Sequence, residues 1–77
     1  MKKILVLGPG CAKCEDLFRE TEKAVNELNL DADVQKIKDI NEIMKYGVMF
    51  TPALIVDDEV KVTGKVPSLD EIKELIK

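Results

Sequence analysis

Two cysteines three positions apart, Cys11 and Cys14, are the residues of this chain best suited to chemistry. They follow Gly8-Pro9-Gly10 and open a stretch of helical period, which predicts Cys11 at a helix N-terminus. There the unsatisfied N–H groups and the positive end of the helix dipole favour a thiolate. Thiols in such turns fall from about 8.5 into a range of roughly 3.5–7.5, and i, i+3 spacing brings a second sulfur within bonding range. A reversible disulfide follows, with Cys11 the more reactive thiol and Cys14, at the head of an apolar stripe, buried. Lys13 adds a positive charge beside the pair. Glu15 and Asp16 in the same turn oppose thiolate formation, so the expected reduction potential is reducing, at roughly −200 to −280 mV.

Two other readings of the pair compete with this one. Cysteine is among the residue types most often found in cores, but two incidental core thiols do not need a glycine-rich turn opening a helix. The competing function is a soft-metal module that carries Cu(I) or Zn on the same two thiolates. Small metal-transfer domains of that kind run βαββαβ and end in a strand. This chain ends in a helical pattern and contains no His, so a closed four-ligand zinc site would need a second chain. No metal ligand is therefore assigned.

The elements that must position the pair are readable from periodicity. Lys3 to Leu7 is a continuous apolar run, as in a central strand buried on both faces. From Cys11 to Asn29, the residues Cys14, Leu17, Phe18, Thr21, Ala24, Val25 and Leu28 follow the i, i+3, i+4, i+7 pattern of a helix. Ala32 to Ile37 is a second strand. Asp39 with Glu42 makes a capping-box-like start for a short helix carrying Ile40, Ile43 and Met44 and ending at Gly47. Ala53 to Val56 and Val60 to Thr63 form a hairpin across Asp57-Asp58-Glu59. A second capping box at Ser68 to Glu71 begins a last helix over Leu69 to Ile76.

The order βαβαββα predicts an α/β fold, a four-stranded mixed sheet with helices on both faces. With strand three antiparallel beside strand one, Cys11, Pro52 and Gly64 share one edge. Met49 and Phe50 are either core residues or an exposed rim for a partner.

Seventy-seven residues allow a single domain, residues 1–77, and a composition 45% hydrophobic and 35% charged is that of a folded one. Twelve basic against fifteen acidic residues give a net charge of −3 with no basic cluster, so nucleic acid is not an expected partner. No apolar run approaches membrane-spanning length and no leader signal follows Lys2 and Lys3, so a cytoplasmic location is expected. A monomer is expected as well. The three residues from Gly8 to Gly10 are not a dinucleotide fingerprint, because Lys13 stands where its third glycine would.

A CxxC at a strand-to-helix turn, followed by Gly47-Val48-Met49-Phe50-Thr51-Pro52 before a strand, resembles the thioredoxin and glutaredoxin superfamily over essentially the whole chain. The short length and the Gly-x-Gly-Cys-x-x-Cys opening look most like the small thioredoxin-like redox-active disulfide proteins of archaea and bacteria. The resemblance implies a thioredoxin-like fold, Cys11 as nucleophile and Cys14 as resolving thiol. It also implies Pro52 as a cis-proline facing the disulfide, with Thr51 offering its backbone to an extended substrate, and Gly64 as a close-approach glycine. Gly10 and Leu5 stand where thioredoxins carry a Trp and a buried Asp, so the usual proton acceptor for the resolving thiol is missing. The activity implied is reduction of protein disulfides without a bound cofactor, with electrons returned by a flavoprotein disulfide reductase or a low-molecular-weight thiol.

Overall fold

The computed structural model describes residues 2–10 and 12–77. Strand β1 (Lys2–Leu7) leads into helix α1 (Ala12–Leu28), strand β2 (Ala32–Ile37), helix α2 (Ile40–Lys45), strands β3 (Ala53–Val56) and β4 (Glu59–Thr63) and helix α3 (Leu69–Ile76). The four strands form one sheet in the order β2-β1-β3-β4, with β1 parallel to β2 and antiparallel to β3. This is the expected mixed α/β arrangement.

Central strands β1 and β3 are apolar throughout their buried length because both of their faces are covered. Ile4 and Val6 point to one side, with Leu54 and Val56, and pack against Leu17 and Ala24 of α1 and Ile72 and Ile76 of α3. Leu5 and Leu7 point to the other, with Ala53 and Ile55, and meet Ile43 of α2 and Val48. The alternation of side chains along a strand thus divides one hydrophobic run between two layers. Edge strand β2 alternates half-buried and exposed residues over most of its length, which is why its pattern is weaker.

Local signals account for the ends of the elements. Asn29 stops α1 in the left-handed region at φ 54°, a conformation that Asn tolerates better than most residues. Asp57 and Asp58 both adopt positive φ, 49° and 69°, so the hairpin turns on two residues rather than three and Glu59 already belongs to β4. Ser68 Oγ accepts from the Glu71 N–H at 3.3 Å to start α3. The α2 box is only half made. Asp39 Oδ1 accepts from the Asn41 N–H at 2.9 Å, while Glu42 pairs with Lys45 instead of reaching back. Within α2 only Ile43 is buried, and Ile40 and Met44 are exposed, because the helix is short and lies against the sheet by one residue.

Candidate active site

Strand register brings one end of β1, β3 and β4 to a common edge. Leu7 pairs with Ala53, and Ala53 with Thr63, so Pro52 and Gly64 stand side by side just beyond the paired residues. The Gly64 N–H donates to the Pro52 carbonyl at 2.8 Å. The Thr51–Pro52 peptide bond is cis, as expected, Pro52 is buried and Thr51 half-buried. Gly64 is a close-approach residue with φ 74°, but its contact is the Phe50 side chain: a Cβ at Gly64 would lie 3.2 Å from Phe50 Cβ.

Above this edge, Gly8, Pro9 and Gly10 carry the chain from β1 to α1. Gly10 has φ 104°, a conformation that side chains other than glycine's rarely adopt. Cys11, the expected nucleophile, lies outside the described residues. Cys14, on the first turn of α1, is 1% exposed, in keeping with its place at the head of the apolar stripe. Lys13 is exposed. Met49 and Phe50 are 88% and 67% exposed, which decides between core and rim in favour of the rim. Met49 borders a groove of about 200 Å³ whose lining also includes Pro9, Ile40, Met44, Val48 and Thr51. Pro9 and Thr51 in one groove place the turn before α1 and the proline loop on a shared surface.

Charges around the turn are arranged differently from expectation. Glu15 does not stand unopposed: Lys36 Nζ of β2 donates to both of its carboxylate oxygens, at 2.9 and 2.8 Å, and lies 4.6 Å from the Phe18 ring centroid. Asp16 is paired with Arg19. The acidic turn is thus largely neutralised by partners that are remote in sequence or one helical turn away, and its opposition to a thiolate is weaker than its composition implies.

Hydrogen bonds from Lys36 hold the Glu15 carboxyl below its ordinary value, against a smaller opposing desolvation. Because Glu15 is more acidic folded than unfolded, the pairing contributes stability above the ordinary value of 4.5 and loses it as the pH falls through the depressed folded value. Lys36→Met is therefore expected to lower the melting temperature at pH 7 and to have less effect at pH 3. Melting curves of both proteins over that interval check this. A difference that grows as the pH falls would overturn the assignment.

Sequence reasoning missed two features of the site. Lys36 could have been flagged only as a charge interrupting a strand. Gly8, buried at the end of β1, reads as one of two turn glycines, although it lies against the Cys14 side chain. Among the described residues no group of three or more His, Cys, Asp or Glu side chains is placed to hold a metal ion, and no helix is long and apolar enough to cross a membrane.

A mixed sheet with this strand order, a buried cysteine on the first turn of α1 and a cis-proline loop beside that turn define a thioredoxin-like protein. Residues 2–77 match the thioredoxin domain family, and the chain belongs to that family of redox proteins. It is similar to a thioredoxin of Methanothermobacter thermautotrophicus, 42% identical over 76 residues that cover 99% of each chain. It is also similar to a thioredoxin of Methanocaldococcus jannaschii, 43% identical over all of this chain and 88% of the relative. A probable thioredoxin of Archaeoglobus fulgidus is 29% identical over 69 residues, 90% of this chain and 75% of the relative.

Proposed function

We propose that this protein reduces protein disulfides through a dithiol/disulfide cycle of Cys11 and Cys14. The observation that carries the reading is the pairing of a buried Cys14 at the start of α1 with a groove shared by Pro9 and Thr51. Cys11 thiolate attacks a client disulfide, forming a mixed disulfide and releasing one client thiolate, which takes a proton from water. Cys14 then gives up its proton and attacks Cys11 Sγ, closing the Cys11–Cys14 disulfide and releasing the second client thiol. Two protein thiols are oxidised and one client disulfide is reduced. Thr51 and the exposed Met49 and Phe50 offer backbone and apolar surface to an extended client segment, which suits a protein with many clients. Electrons return from a flavoprotein disulfide reductase or a low-molecular-weight thiol, and a reducing compartment such as the cytoplasm fits that role.

Reduction of insulin disulfides by dithiothreitol tests the reading: the protein is expected to accelerate it, and no acceleration would sink it. The reduced protein is further expected to alkylate at Cys11 at least about tenfold faster than at Cys14 at pH 7, because Cys14 is buried and thiolate exposure governs the rate. Mass mapping of iodoacetamide adducts over time measures the ratio. A faster Cys14 would reverse the assignment of nucleophile.

A further inference from the structure

We propose that Gly8 is a positioning residue for the resolving sulfur: its missing side chain is the seat of Cys14 Sγ. The proposal rests on the dithiol cycle and names what sets the geometry of its second step.

A methyl group built on Gly8 would overlap Cys14 Sγ outright and lie 2.8 Å from Cys14 Cβ. Backbone conformation is not what demands glycine at this position, since Gly10, Gly47 and Gly64 have positive φ and Gly8 does not. Space for the sulfur is the demand. Neither side of the contact can withdraw freely. The Gly8 N–H donates to the Ile37 carbonyl of β2 at 2.9 Å, and the preceding Leu7 is fully buried and paired with both Ile37 and Ala53. On the other side, Cys14 is followed one turn later by fully buried Leu17, which holds α1 against the sheet. A side chain at position 8 must therefore push the sulfur aside by on the order of an ångström.

Such a displacement bears on one chemical step. Cys14 must approach Cys11 Sγ in line with the bond being broken, so that the new S–S bond forms as the client sulfur leaves with the electron pair. Misplacement by about 1 Å can cost such an oriented intramolecular attack about 100-fold. The first step, attack of Cys11 on a client, does not use Cys14 Sγ.

Reaction of the full chain with 5,5′-dithiobis(2-nitrobenzoate) separates the two steps. Cys11 attack releases one thionitrobenzoate, and Cys14 attack on the mixed disulfide releases the other in a first-order phase. For Gly8→Ala the second phase is expected to slow about 10- to 100-fold, with the first phase within about twofold of the parent. Val62→Ala, a core change on β4, serves as a control for general destabilisation and is expected to leave both phases unchanged. An unchanged second phase in Gly8→Ala, or an equal slowing in Val62→Ala, would overturn the proposal.

If Gly8→Ala does not fold, Gly8→Ala/Cys14→Gly decides, because it removes both the sulfur and the Cβ that the added methyl would meet and leaves only an ordinary contact with the backbone. Recovery of the folded state supports the seat, and failure to recover it overturns the proposal. A parent protein that shows no second phase counts against the dithiol cycle instead, and the same pair of variants, compared by melting temperature, still tests the Gly8–Cys14 contact.

Discussion

Cys14→Ser is expected to stop disulfide turnover after its first covalent step and to leave the protein joined to its client through Cys11. Serine is close to cysteine in size, so the packing at the head of α1 is largely kept while the atom that would form the new S–S bond is lost. Intramolecular attack by a positioned thiol gains its advantage from orientation that an external thiol lacks, so insulin reduction above the dithiothreitol-only background, at dithiothreitol too dilute to resolve the adduct, should fall about 100-fold or more. The joined species should be visible by mass and should release its client when excess dithiothreitol is added. Turnover near the parent rate would show that a solvent thiol, and not Cys14, resolves the intermediate. Trapped adducts from a cell extract would also name the clients.

Leu17→Ala should be the most damaging single truncation near the site. Leu17 is fully buried in the layer formed by α1, α3 and the sheet, where it packs with Ile4, Val6, Leu54 and Ile72. Leucine-to-alanine changes at such sites cost about 2–5 kcal/mol, through lost burial and the cavity left behind. Total stabilities of small domains are about 5–15 kcal/mol, so a large share of the folded state's margin is at stake. A melting temperature at least about 10 °C lower is the expected result for a domain of this size. Urea denaturation gives the free energy directly. A loss below about 1 kcal/mol would mean that α1 is not seated on the sheet as described.

Elements with strong periodicity are legible from the residues alone. The spacing of Cys14, Leu17, Phe18, Thr21, Ala24, Val25 and Leu28 describes the core-facing stripe of α1, of which Cys14, Leu17, Thr21 and Ala24 are buried and the other three half-buried, and the apolar run of β1 implies the two-sided burial that is observed. The bounds of β2, β3 and α3 also follow from local patterns. What is not legible depends on contacts between distant segments. Nothing local says that Lys36 reaches Glu15 across 21 positions, and so the acidic turn reads as more repulsive than it is. Ile40 and Met44 match the helical spacing of Ile43 yet face outward, because a helix of six residues can bury only what its neighbours cover. The exposure of Met49 and Phe50 depends likewise on how the chain approaches Pro52. Pro52 and Gly64 meet because of register, and the antiparallel pairing of β1 with β3 that creates it follows from element order and not from any local motif.

Two-sided burial of β1 leaves an ambiguity that most strands do not face. In a strand with one wet face, slipping by a single residue would put polar groups in the core and is heavily disfavoured. Along Ile4, Leu5, Val6 and Leu7 the same slip exchanges one aliphatic side chain for another in both layers, so oiliness alone discriminates poorly between alignments. Discrimination has to come from the strand's ends. A slip one way would draw Lys3 toward the interior, and a slip the other way would set the bulk of Leu7 where the sulfur of Cys14 now sits. Chains slipped the second way would thus be penalised at the very spot where Cys14 is seated, which ties fidelity of folding to the placement of its sulfur.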